Sequence, residues 1–193
     1  MTRTAINKEI RRCFPHARIK WSSGAMRKRT DETMSNIYYA FKTLTERKVD
    51  YRIRHVVSMV HITAGHYYPS KRTRDWMAHT GPFDTIRPSY YIGINITKYT
   101  DAILGHIQEP LDGKAWHLVN SPDETLLHEL GHIHARMYTV FPPASNNFLH
   151  HAWSVLSWQA SFSPDELYAE LFAARVAGTS IPDTFSRYME SIQ

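Results

Sequence analysis

Residues 121–135 read SPDETLLHELGHIHA, and this stretch restricts the chain more than any other. Ser121 suits an N-cap, Pro122 suits the first helical position, and Glu124, three residues after Ser121, can close a capping box. A helix is therefore expected here. On it His128 and His132 stand four residues apart and project from one face, so both imidazoles can share a metal ion. Glu129 lies beside them, placed to hold a metal-bound water. This H-E-x-x-H arrangement assigns His128 and His132 as zinc ligands and Glu129 as general base. Gly131 allows close approach at the metal. His134 points to another face and is not expected to bind the ion.

A catalytic zinc site takes three protein ligands and leaves one position open. The third ligand must come from elsewhere. The extended pattern H-E-x-x-H-x-x-G-x-x-H is excluded, because Ala135 and Tyr138 stand where it needs Gly and His. Two sources remain: His150 or His151 in NNFLHHAWSVLSW, and the acidic pair Glu166 and Glu170 in SPDELYAELFAA. The second SPDE, at 163–166, opens another capped helix, in which Glu166 could instead bond back to the Ser163 amide. Glu166 and Glu170 share one helical face, so spacing does not choose between them.

The rest of the chain sets the frame. At 193 residues and 42% hydrophobic content, the sequence suits one domain, residues 1–193, with a basic amino-terminal segment of about 30 residues. A single cysteine, Cys13, excludes an internal disulfide, and the charged start MTRTAINKEIRRCF does not resemble a secretory signal. The cytoplasm is the expected compartment. No apolar run approaches the roughly 20 residues that span a bilayer, so no membrane partner is expected. Residues 1–74 carry 17 Lys and Arg against 5 Asp and Glu, a net of +12, while residues 75–193 carry 6 against 13, a net of −7. The basic half can dock on nucleic acid or an acidic protein, or simply form a solvated face.

Local patterns predict helices over TAINKEIRRCF (4–14) and TDETMSNIYYAFKTLTERKV (30–49), the latter from Ile37, Ala40, Phe41 and Leu44 behind a cap at Thr30 or Asp31. PHARIKWSSGAMRKR (15–29) reads as a basic loop. YRIRHVVSMVHIT (51–63) and SYYIGINIT (89–97) read as strands, joined by a long surface loop, with AWHLVN (115–120) as a short third strand. Either of the last two segments can offer an edge to an extended peptide.

HELGH followed by DELYAELFAARVAG resembles the gluzincin metallopeptidases of the anthrax lethal factor-like and ImmA/IrrE-like groups, with the resemblance covering residues 121–178. It implies an α+β, zincin-like fold: a small mixed sheet, one helix carrying HExxH and a later helix carrying a glutamate ligand. It implies zinc held by His128, His132 and Glu166, with Glu170 orienting a ligand histidine or serving as the alternative ligand. The expected activity is hydrolysis of a peptide bond in a protein or peptide substrate, through a zinc-activated water with Glu129 as general base. Lethal factor-like enzymes carry a transition-state tyrosine seven residues before the ligand glutamate, where this chain has Gln159, leaving His150, His151 or Tyr168 as possible stabilisers. HHAWSVLSW also resembles, more loosely, SprT-like proteases that act on DNA-bound proteins. A zinc-stabilised module that binds nucleic acid or protein without cleaving is the remaining alternative.

Overall fold

The computed structural model describes residues 1–64, 78–84, 89–97, 119, 121–138 and 144–191, with backbone alone at 83, 84 and 138. These contain eight α-helices and a four-stranded mixed sheet, an α+β chain in two compact units, residues 1–104 and 105–193. Among the described residues no helix is long and apolar enough to cross a membrane.

In the first unit Thr2 caps α1 (Arg3–Cys13) by accepting from the Ala5 N–H at 3.2 Å. Ile6, Glu9, Ile10 and Cys13 form its buried face. The Cys13 thiol donates to the Phe41 carbonyl at 3.2 Å, and burial pushes its pKa up to about 11, so it packs as a small hydrophobe. The helix expected from residue 30 is α3 (Asp31–Glu46), started by a capping box between Thr30 and Thr33 and packed on α1 through the Phe14–Phe41 edge contact.

Three expectations need correction. The supposed basic loop contains β1 (Arg18–Trp21) and α2 (Ser23–Lys28), the latter capped by the Ser22 hydroxyl. The first six residues of the supposed 51–63 strand form α4 (Tyr51–Val56), because Asp50 accepts from the Arg52 N–H at 2.8 Å and starts a turn of helix; β2 is only Val57–Thr63. Part of the supposed long loop is β3 (Ala78–Asp84), whose Pro82 is tolerated because β3 is an outer strand. Residues 65–77 and 85–88 of that loop, and all of AWHLVN but Val119, lie outside the described residues.

The sheet runs β1-β2-β4-β3, with β4 (Ser89–Asn95) parallel to β2 and antiparallel to β3. SYYIGINIT is thus an interior strand and offers no edge. Val60, Ile62, Ile92 and Ile94 alternate on one buried face, which period-two patterning of β-branched residues produces.

The second unit is helical where described: α5 (Glu124–Tyr138), α6 (Asn146–Val155), a 3₁₀ turn (Gln159–Ser161), α7 (Pro164–Ala177) and α8 (Asp183–Glu190). Leu167–Ala174 of α7 are all buried, so that helix forms the centre of its unit. It ends where Gly178 takes a φ of +76°, a left-handed C′ position that costs glycine nothing.

Candidate metal centre

The two SPDE segments start their helices differently. At α7 Ser163 is the N-cap: its hydroxyl accepts from the Glu166 N–H at 3.2 Å and Pro164 opens the first turn. At α5 the Ser121 hydroxyl instead donates to Asp123 Oδ1 at 2.6 Å, and the Asp123 carbonyl accepts from the Leu127 N–H at 2.9 Å. Asp123, not Ser121, therefore occupies the cap position of the motif helix. The shift leaves His128 and His132 on one face of α5, and the two rings meet edge to face at 4.7 Å.

α5 packs against α7, and the contact gathers the site. His128 Nε2, His132 Nε2 and Glu166 Oε2 converge, at 3.1 Å between the two nitrogens, 2.9 Å from His128 to Glu166 and 3.6 Å from His132 to Glu166. The Glu166 side chain leaves its own N-terminus and reaches the histidines, so the capping role open to it in the sequence is not taken. Glu170, one turn further, lies on the far side of His128: Nδ1 donates to its Oε1 at 2.7 Å. Glu170 is thus outside the convergent set and is 1% exposed.

That hydrogen bond fixes the tautomer. With its proton on Nδ1, neutral His128 turns a lone pair on Nε2 toward a second imidazole nitrogen and a carboxylate oxygen. Three lone pairs at such distances repel unless protons or a cation lie among them. Protonation shows the same demand. Burial pulls His128 down, but Glu166 and Glu170 outweigh it and raise it well above its ordinary value. Burial likewise opposes charging of His132, yet Asp165 and Glu166 lift it to about 9. Glu166, despite burial, is held well below the usual carboxylate range by the two histidines.

The geometry also fits a tetrahedral ion. Ligand bonds of about 2.0–2.1 Å give ligand–ligand edges of roughly 3.3 Å, and the three observed edges bracket that length. Two imidazoles and one carboxylate are a donor set that can hold a metal ion, and the Glu170–His128 bond fixes the ring of one of them. Glu129, 7% exposed, is raised by burial and pulled back by the adjacent histidines.

Three neighbours were not singled out as part of the site from the sequence. Gln159 donates from Nε2 to Glu166 Oε2 at 2.8 Å. Ser157 donates to Glu170 Oε2 at 2.9 Å while accepting from the Ala160 N–H. Asp165 Oδ2 lies 3.0 Å from His132 Nδ1, out of line for a hydrogen bond but close enough for charge attraction. All three depend on contacts between segments; only the position of Gln159, seven residues before Glu166, is marked in the sequence, and not for this role. The possible stabilisers take other partners. His150 rings against Trp153, His151 stacks on Phe185, both on the exposed side of α6, and the buried Tyr168 hydroxyl pairs with His134 Nδ1 at 2.7 Å.

Compared with known proteins, the chain matches no family model, no curated protein and no solved structure.

Proposed function

We propose that the chain is a zinc-dependent metallopeptidase of the gluzincin type, cleaving a peptide bond in a protein or peptide substrate. The observation that carries this reading is the convergence of His128 Nε2, His132 Nε2 and Glu166 Oε2, with Glu129 beside them on the same helix. When bound, zinc supplies Lewis acidity to the carbonyl and to water. The chain's own groups do the rest. Glu129, buried but close to two histidines, takes the proton of the attacking water and delivers it to the leaving amine. Glu170 holds the His128 ring, and Ser157 holds Glu170. This ligand set favours the glutamate-ligand reading over one in which His150 or His151 completes the site. Glu129 favours an enzyme over a binding module, since a structural zinc site needs no general base.

Zinc stoichiometry of the purified protein, together with cleavage of a peptide library, tests the proposal. The expected result is about one zinc per chain, lost in Glu166→Ala, and cleavage abolished in Glu129→Gln with zinc retained. A wild type that binds no zinc after reconstitution, or a Glu129→Gln variant that cleaves as well as wild type, overturns it.

A further inference from the structure

The outer face of α1 has no part in the metal centre. Arg3, Thr4, Asn7, Lys8, Arg11 and Arg12 line a shallow groove along it, opposite the buried Ile6, Ile10 and Cys13. Residues 1–30 carry nine Lys and Arg against one acid, Glu9. Glu9 is buried and already paired with Arg12 at 2.9 Å. Asp31, the next acid in the chain, lies 3.7 Å from the terminal ammonium. Lys8 and Arg11 are exposed and have no carboxylate partner among the described residues. The Trp21 Nε1–H donates to Asn7 Oδ1 at 2.9 Å, which assigns the amide's oxygen and leaves its NH₂ group as a donor.

We propose that this face is a nucleic-acid-binding surface that grips the phosphate backbone without reading sequence. Its length suits the task. The eight residue steps of helix from Arg3 to Arg11 rise about 12 Å, and one phosphate recurs per about 3.4 Å along a strand, so the stripe faces roughly three or four phosphates. The composition selects nucleic acid over an acidic protein. A protein interface needs apolar or aromatic anchors at its centre, and among the described residues the exposed large hydrophobics are Met1, Tyr39, Tyr51, Val155 and Phe162, none on the helix face itself. The exposed cations Lys8 and Arg11 beside the Asn7 amide match a polyphosphate.

The test is fluorescence anisotropy of the full chain with a labelled oligonucleotide of about 20 nucleotides, single-stranded and duplex, across a salt series. Lys8→Glu/Arg11→Glu is compared with Lys42→Glu/Lys48→Glu, which changes net charge equally from exposed positions elsewhere in the first unit. The α1 pair is expected to weaken binding at least about tenfold and to flatten the salt slope by about two, with the control pair near wild type. Equal losses in both pairs, no wild-type binding at low salt, or tighter binding of poly-glutamate than of the oligonucleotide each overturn the proposal. Zinc removal is expected to leave binding unchanged, so failure here and failure of the peptidase reading are separately visible.

Discussion

Gly131 on α5 lies against the backbone of Ala169 on α7 so closely that a Cβ on Gly131 would come within 2.6 Å of Ala169 Cα and 2.9 Å of its carbonyl oxygen. Gly131 sits between His128 and His132, and Ala169 between Glu166 and Glu170, so this one contact sets the gap that the ligand atoms span. Gly131→Ala must push the helices apart. Overpacking costs about 1–3 kcal/mol, and the helix propensity gained from alanine returns at most about 1. The expected outcome is a lower melting temperature and zinc affinity reduced by at least about tenfold, because ligand edges near 3.3 Å tolerate little widening. Thermal unfolding and chelator competition measure both. A stabilised variant with unchanged affinity would show that the contact does not set the site.

Substitutions around the glutamates should grade zinc affinity by their distance from the ion. Glu166→Gln removes a charged ligand and is expected to abolish stoichiometric binding. Glu170→Gln keeps the shape but weakens the acceptor that orients His128, a change of about 10–100-fold. Ser157→Ala removes a hydrogen bond that reaches the metal site only through Glu170, so its effect on zinc affinity should be smaller again, about fivefold. Competition against a chromophoric chelator reads all three. A Glu170→Gln loss as complete as that of Glu166→Gln would move Glu170 into the ligand set.

The protonation of His132 makes the metal-free chain lose stability as the pH rises, while the stabilisation added by zinc grows. In the metal-free chain its pKa stands at about 9 against an ordinary value of 6.5, since Asp165 and Glu166 outweigh burial. A raised folded-state pKa contributes stability that is complete below pH 6.5 and lost as the pH climbs through about 9. The metal-free melting temperature should therefore fall across that interval. Zinc competes with the same proton, so the stabilisation it adds should grow over the same range. Melting curves with chelator and with zinc at three pH values suffice. A flat metal-free profile would mean that the carboxylates do not raise His132.

The legible parts of this fold are those coded within a few residues. Thr30 and Ser163 mark helix starts with their own hydroxyls, and the spacing of His128 and His132 follows from one helical turn. The same letters mislead when a neighbour competes: in the first SPDE the Ser121 hydroxyl bonds to Asp123 instead of the helix. α4 was hidden because YRIRHV is rich in strand-favouring residues and only the Asp50 cap tips it to helix. β3 was hidden because Gly81 and Pro82 look like loop, and only pairing with β4 makes a strand of them. The choice between Glu166 and Glu170 lay beyond any helical periodicity. It rests on how α7 lies across α5, and Gly131 is the single residue that signalled the close approach.

Gln159 occupies the position where the resemblance implies a tyrosine, and its side chain has a different task. Its amide donates to Glu166 Oε2, the oxygen that joins the histidines, at 2.8 Å. A neutral donor on a ligand carboxylate holds its rotamer without adding charge that would compete for the ion. A hydrogen bond to a charged acceptor contributes about 1.5–3 kcal/mol, so Gln159→Leu, similar in volume but without the donor, should weaken zinc binding by roughly tenfold or more. Gln159→Glu tests the charge separately: two carboxylates at that separation repel when the metal is absent, so the variant should melt lower in chelator than Gln159→Leu and recover more on adding zinc. If Gln159→Leu binds zinc like wild type, the amide merely fills space beside Glu166. The orientation of the ligand would then rest on α7 and the histidines alone.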